Sequence, residues 1–183
     1  MRSTDAALLI VPGWQGSGPD HWQSRWERSL STARRVQQAD WDRPDREDWP
    51  RRLVAAGAAA DKPVVVGAPP PGVPTLLHAA PLLPEGKVKG AFLVAPPDLD
   101  VPELDPMVAN FGPMPTAPLP FPSVLVASRT DPYCSYARAE GFALDWGAAI
   151  VDAGDAGHIN ADAGYGPWPE GSMRLLGLLQ SLK

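Results

Sequence analysis

The sequence predicts an α/β fold in which one doubly wound, mostly parallel sheet of about six strands is covered by helices on both sides. Short apolar runs alternate along the chain with amphipathic segments, and turn residues separate them. The runs are apolar throughout, which indicates strands buried on both faces, as in parallel sheets between two layers of helices. A length of 183 residues suits one domain, and we expect residues 1–183 to form it.

Each predicted element has a local signal in the sequence. Five strands are predicted at the short apolar runs 6–11, 63–68, 88–94, 123–128 and 149–152, and a weak second strand is predicted at 35–39. The first helix should follow Asp20 as its N-cap, because Trp22, Trp26 and Leu30 are spaced four apart on one face. The other helices are predicted at 48–60, 75–80, 133–146 and 170–182. The second strand has the weakest signal of the six.

Proline is the unusual part of the composition. The chain has 23 prolines, and 16 of them lie between residues 63 and 122. Seven tryptophans argue against disorder, because disordered chains are poor in aromatic residues. The segment 95–122 is proline-rich and has no apolar periodicity, so we expect a cover over the carboxyl ends of the strands, where ligands of α/β sheets bind.

Several classes of function are excluded by composition. The net charge is −5 and Lys/Arg clusters do not exceed a pair, which argues against nucleic-acid binding. The apolar runs are too short to cross a membrane, and a single cysteine argues against a disulfide or a cysteine-rich zinc site. Neither metal-ligand spacing nor a dinucleotide fingerprint is present, so we expect no metal and no cofactor. We expect a cytoplasmic protein. A protein partner is possible, but nothing in the composition supports one.

The residues that carry chemistry follow the last two predicted strands. Asp131 comes directly after the strand at 123–128, and His158 follows the strand at 149–152. Parallel strands end at one edge of the sheet, so the two side chains should meet there. An acid followed by a histidine is the second half of the α/β-hydrolase triad, whose chain order is nucleophile, acid, histidine. The acid would orient the imidazole, which acts as general base and acid.

Three segments resemble the small serine hydrolases related to retinoblastoma-binding protein nine. They are PGWQGSGPDHWQSRWE at 12–27, SRTDPYC at 128–134 and AGHINADAGYGPWPEG at 156–171. The resemblance implies an α/β-hydrolase fold without a large cap domain, and a Ser-His-Asp mechanism acting on a small ester or amide. It makes Asp131 the triad acid and His158 the triad histidine. It also implies that the loop Gly13, Trp14, Gln15, Gly16 and Ser17 supplies part of the oxyanion and substrate site.

The chain departs from that family at the nucleophile. The family has a Gly-x-Ser-x-Gly-like turn after the third strand, whereas residues 68–72 read Ala-Pro-Pro-Pro-Gly, which puts Pro70 in the serine position. A proline cannot adopt the strained backbone of a nucleophile turn. Pro71 also lacks the N–H that the residue after the nucleophile gives to the oxyanion hole. We therefore predict that the chain as written is catalytically impaired, a pseudoenzyme with an intact acid and histidine.

Two alternatives to impaired catalysis stay open. The chain is an active esterase-like hydrolase if the turn at 69–71 is altered or mis-sequenced. It is a non-catalytic interaction module if the proline-rich loop at 95–122 is read by a partner as extended polyproline.

Two other residues are candidate substitutes for the missing serine. Ser17 lies at the same predicted edge as His158 but is typical of a turn serine between glycines. Cys134 lies three residues after Asp131 and is better interpreted as a packing residue. His21 and His78 are interpreted as packing or surface residues.

Overall fold

The computed structural model describes residues 1–70, 72–101 and 104–182. Within these ranges the strands are β1 Ala7–Ile10, β2 Ala33–Arg35, β3 Val64–Ala68, β4 Val88–Val94, β5 Ser123–Ala127 and β6 Ala149–Asp152. The helices are α1 Trp22–Ser29, α2 Asp48–Ala59, α3 Gly72–Ala79, α4 Pro106–Ala109, α5 Tyr136–Trp146 and α6 Pro169–Ser181. Short 3-10 turns follow β1 and α3, at Trp14–Gly16 and Ala80–Leu82.

The strands form one parallel sheet in the order β2-β1-β3-β4-β5-β6. The chain moves outward from β1 to β2, returns through α2, and continues from β3 to β6 on the other side of β1. This reversal of direction between β1 and β3 is the point where ligands of open α/β sheets bind, beyond the carboxyl ends of the strands. The predicted fold class is confirmed.

Helices cover both faces of the sheet because successive strand residues face opposite sides. In β3, Val64 and Val66 belong to the core under α2, α3 and α5, whereas Val65 belongs to the core under α1 and α6. All three valines are fully buried. Burial on both faces explains why the strand sequences are apolar without alternation.

Two predicted elements are placed differently in the structure. β2 lies at Ala33–Arg35 rather than 35–39, because this edge strand pairs with β1 from Leu8 to Ile10 and then leaves the sheet. Its burial pattern mixes buried and exposed residues, so no apolar run marks this strand in the sequence. The N-cap of α1 is His21 rather than Asp20: its Nδ1 accepts from the backbone N–H of Gln23 at 3.4 Å. Asp20 instead pairs with Arg25 at 3.3 Å.

Two further helices, α3 and α5, start three residues away from their predicted positions. α5 begins at Tyr136 rather than 133, because the Ser135 side chain accepts from the Arg138 N–H and caps the helix there. α3 begins at Gly72, three residues before its predicted start. No described helix has the length and hydropathy required to cross a bilayer.

The proline-rich segment 95–122 is packed onto the sheet rather than projecting from it. Phe111, Met114 and Phe121 are buried in the core under α2, α3 and α5. The segment contains the four-residue α4, capped by Asp105, whose Oδ1 accepts from the Met107 N–H at 2.8 Å. Among its described residues, which leave out 102 and 103, it forms no large cap domain.

Candidate active site

A cavity of about 610 Å³ lies at the carboxyl edge of the sheet. Its lining comes from the segments that follow β1, β3, β4, β5 and β6, so one site collects residues from distant parts of the chain. The lining residues are Trp14, Gln15, Pro70, Pro97, Leu104, Asp105, Val108, Tyr133, His158, Asn160 and Asp162. Pro97, Leu104, Asp105 and Val108 belong to the segment 95–122, which therefore contributes to the cover expected over the strand ends.

Asp131 and His158 form a hydrogen-bonded pair at this cavity. The Nδ1 of His158 lies 2.9 and 3.0 Å from the two carboxylate oxygens of Asp131, to which it donates. The side chains are 16% and 3% exposed, respectively. Because Nδ1 is occupied by the carboxylate, Nε2 is the ring nitrogen left to exchange a proton with a ligand. The arrangement has the bond that a triad acid and histidine require.

Two hydroxyl side chains join the loops that carry this pair. The Oγ of Ser128 accepts from the backbone N–H of Ala156 at 3.0 Å, and the Oγ1 of Thr130 accepts from the N–H of Gly157 at 3.1 Å. The loop after β5 therefore holds the loop after β6 immediately before His158. Neither residue was singled out from the sequence, since a serine or threonine after a strand is common in any turn.

The residue after His158 has a strained backbone. Ile159 has a φ of 49°, a left-handed value that is rare for a β-branched residue. It is 1% exposed, and its carbonyl oxygen accepts from the indole Nε1 of Trp22 at 2.9 Å. Burial and this hydrogen bond stabilise the conformation, so Trp22 of α1 helps to position the histidine loop.

Tyr133 contacts both members of the pair. Its backbone N–H donates to the Oδ1 of Asp131 at 3.0 Å, and its ring meets the imidazole of His158 edge-on with 4.5 Å between ring centroids. The sequence alone does not predict Tyr133 as a site residue, although Tyr133 lies in the same segment, 128–134, as Asp131.

The turn after β3 brings Pro70 into the same cavity as His158. The carbonyl oxygen of Pro69 accepts from the Val73 N–H at 3.0 Å, which joins the turn to α3. A proline side chain offers no hydroxyl or thiol, so this position supplies no nucleophile. Pro71, where the sequence predicts a missing oxyanion donor, lies outside the described residues.

The loop after β1 contributes side chains to the cavity. Trp14 and Gln15 line it, whereas Gly13, Gly16 and Ser17 do not. The N–H of Gln15 donates to the Trp41 carbonyl at 2.9 Å, and that of Gly16 donates to the Gly13 carbonyl at 3.0 Å. These two N–H groups are thus used within the fold.

An arginine on β2 supports the strained part of that loop. Gln15, Gly16 and Ser17 all have positive φ values, 59°, 72° and 53°. The guanidinium of Arg35 donates to the Gly16 carbonyl oxygen and to the Ser24 Oγ, and it pairs with Glu27 at 2.9 Å. The Arg35 side chain is 15% exposed, so the contact is largely shielded from water.

The candidate substitute nucleophiles are engaged elsewhere. The Oγ of Ser17 accepts from the Gln23 Nε2 at 3.0 Å. Cys134 is 5% exposed, and burial raises the pKa of its thiol to about 12, which keeps it protonated at neutral pH. His78 donates from Nε2 to the Phe111 carbonyl at 2.8 Å, outside this cavity. The packing interpretation of Cys134 is confirmed.

His21 lies nearer to the site than the sequence suggested. Burial and the nearby charges of His158 and Arg35 lower the pKa of His21 to about 4, against a smaller opposing effect of Asp162. His21 is therefore neutral at pH 7. Among the described residues, no group of three His, Cys, Asp or Glu side chains is arranged to hold a metal ion.

The fold and the Asp131–His158 pair define an α/β hydrolase, and comparisons with known proteins agree. The profile of the serine hydrolase family matches residues 8–177. The crystal structure named as a YdeN-like hydrolase from Pectobacterium atrosepticum is 33% identical with a TM-score of 0.84, over 96% of this chain and 91% of that one. The ydeN gene product of B. subtilis, at 19% identity and a TM-score of 0.79, covers 96% of this chain and 100% of its own.

The chain belongs to the serine hydrolase family. A protein from Xanthomonas campestris that is named as a hydrolase of the α/β superfamily shares the fold at 22% identity and a TM-score of 0.65, over 97% of this chain and 99% of that one. No curated protein matches the chain.

Proposed function

We propose that this chain is a member of the serine hydrolase family, related to retinoblastoma-binding protein nine, that binds a small ester or amide but is impaired in cleaving it. The observation that carries the proposal is Pro70, which lines the same cavity as His158 at the end of β3. The Asp131–His158 pair would orient a general base toward a nucleophile that the chain does not supply. Asp131 is the positioning acid in this proposal and His158 the proton-transfer residue.

The loss extends beyond one hydroxyl group. A serine nucleophile forms the acyl-enzyme, and the N–H of the following residue stabilises the oxyanion. Losing one such donor costs about 3 kcal/mol of transition-state stabilisation. Since Pro71 has no N–H, Pro70→Ser alone should restore little activity. Trp14 and Gln15 would contribute to the substrate side of the site rather than replace that donor.

The test restores the turn in the full chain through Pro69→His, Pro70→Ser and Pro71→Leu together. The unchanged chain should hydrolyse p-nitrophenyl butyrate near background and should not be labelled by a fluorophosphonate probe at residue 70. The triple variant should gain hydrolysis and labelling at residue 70. Adding His158→Ala to the triple variant is the matched control, and it should abolish the gain. Labelling of the unchanged chain at any residue would overturn the proposal.

An active enzyme with a different turn is the second candidate, favoured by the intact bond between Asp131 and His158. It predicts that the protein from its natural source carries other residues at 69–71. Mass spectrometry of a peptide spanning these residues, together with sequencing of the gene, separates this candidate from the first. A confirmed Pro-Pro-Pro turn would rule it out.

A further inference from the structure

The charges that line the cavity are acidic. Asp105 and Asp162 both contribute to the lining, and no lysine or arginine does so among the described residues. The two carboxylates come from separate segments, one at the start of α4 and one in the loop after β6. A ligand with a negative charge would therefore enter against two like charges, whereas a positive charge would be attracted.

Neither carboxylate is neutralised within the part of the chain that the structure describes. Asp105 accepts a backbone N–H from Met107, and Asp162 has no ion-pair partner there. His21, whose proton affinity the charge of Asp162 affects, is neutral at pH 7 because its pKa is about 4. The negative charge at the cavity is thus available to a ligand.

Two aromatic rings line the same cavity and remain open to solvent. Trp14 is 37% exposed and Tyr133 is 56% exposed. The faces of tryptophan and tyrosine rings attract cations, and such rings are used in proteins to recognise quaternary ammonium groups. Pro70, Pro97, Leu104 and Val108 supply apolar surface beside them. Carboxylates and aromatic rings that line one cavity therefore both favour a cationic ligand.

We propose that the cavity binds an organic cation, in which a substituted ammonium group is carried on a small apolar ester or amide. This deepens the proposed function and rests on it for the ester or amide part. The ammonium group would be held by the charges of Asp105 and Asp162 and by the rings of Trp14 and Tyr133. The apolar part would lie against the prolines and aliphatic side chains.

The experiment compares two probes of nearly equal shape on the full ¹⁵N-labelled chain. Butyrylcholine carries a quaternary ammonium group, and 3,3-dimethylbutyl butyrate replaces its nitrogen by carbon. We expect butyrylcholine to bind about thirtyfold more tightly at low salt, because two carboxylates and two rings both favour the charge. The indole signal of Trp14 should shift in the NMR titration. Raising the ionic strength from about 0.01 M to 0.1 M shortens the Debye length from about 30 to 10 Å. The difference in affinity between the charged and the neutral probe should therefore become smaller.

Variants assign the effect to the two carboxylates. The double variant Asp105→Asn, Asp162→Asn should bind butyrylcholine about tenfold more weakly. Its affinity for the neutral probe should be unchanged. Asparagine can still cap α4, so the fold should be retained. The control is Glu85→Gln with Asp145→Asn, which removes two exposed carboxylates that do not line the cavity. It should leave both affinities unchanged.

Three results would overturn the inference. The first is equal affinity for both probes, and the second is absence of butyrylcholine binding. The third is an equal loss of affinity for both probes in the Asp105/Asp162 variant. Release of choline during the titration is a separate readout. Rapid release would contradict impaired catalysis while leaving the preference for a cation intact.

Discussion

Two histidines near the cavity have different surroundings, and this difference decides their roles. His158 donates from Nδ1 to Asp131, which fixes the orientation of its ring. His21 caps α1 through Nδ1 and is largely buried, and its pKa falls from the ordinary value of 6.5 to about 4. Both histidines are visible in the sequence, but only the fold distinguishes the proton-transfer candidate, His158, from the neutral capping residue, His21.

The low pKa of His21 predicts a loss of stability on acidification. The unfolded chain takes up a proton on His21 below about pH 6.5, and the folded chain does so only near pH 4. The unfolded state is therefore favoured as the pH falls through this window. A shift of one pKa unit corresponds to about 1.4 kcal/mol, so the free energy of unfolding should fall by about 3 kcal/mol between pH 7.5 and pH 4.

His21→Asn isolates this contribution, because asparagine is also a favoured N-cap. Urea denaturation of both proteins between pH 7.5 and pH 4 should show a steeper loss of unfolding free energy in the unchanged chain. Parallel pH profiles for the two proteins would show that His21 is not the group responsible.

The start of α3 shows how closely one element packs on another. A Cβ atom added at Gly72 would lie 2.0 Å from the carbonyl oxygen of Val11, a backbone atom directly after β1 that has little freedom to move. The turn that carries Pro70 is therefore brought against β1 by a residue without a side chain. The sequence showed this glycine at the end of the altered turn, but not the contact that requires it.

Gly72→Ala should lower the free energy of unfolding by about 3 kcal/mol, because the added methyl group displaces α3 or β1. Gly141→Ala is the matched control, since Gly141 lies in α5 and an added Cβ meets nothing within 4 Å. That change should stabilise the protein by up to about 1 kcal/mol through helix propensity. Urea denaturation measures both, and equal effects of the two changes would contradict the packing argument.

Elements are predicted best where a continuous apolar run or an amphipathic pattern marks them, both in the interior and at the edge of the sheet. The bounds of β4 and β6 agree with the prediction, and α2 differs by one residue at its end. β2 lies largely outside its predicted bounds because its residues Ala33–Arg35 do not form an apolar run, and His21 rather than the predicted Asp20 caps α1. Helix ends depend on single side-chain contacts, which composition does not specify.

At the scale of the whole molecule, an aromatic cluster joins α1, the sheet and the start of α6. Trp168 lies 5.2 Å from Trp22 and 6.0 Å from both Trp26 and Phe92, measured between ring centroids. Trp22 also donates to the Ile159 carbonyl, so the cluster is connected to the loop that carries His158. Tryptophans that in the sequence argue against disorder and mark one face of α1 thus also contribute to positioning the site.

Trp168→Ala should lower the free energy of unfolding by about 3–5 kcal/mol, because it leaves a cavity in this cluster. Trp14→Ala is the comparison, since Trp14 lies at the solvent-open candidate site and should cost less than about 1 kcal/mol. Urea denaturation with near-ultraviolet circular dichroism measures both changes. Similar losses for the two variants would mean that the cluster is not a main source of stability.

The sequence by itself determined the fold class and the chain positions of the chemistry. Buried strands require continuous apolar runs, and residues that follow parallel strands must meet at one edge, so Asp131, His158 and Pro70 could be assigned to that edge from spacing and resemblance. The tertiary structure decided which of them bond and what surrounds them. Trp22 and Ile159 are 137 residues apart along the chain, and Asp131 and His158 are 27 apart. Contacts over such separations, and the acidic and aromatic lining of the cavity, arise only when the folded chain brings distant loops together.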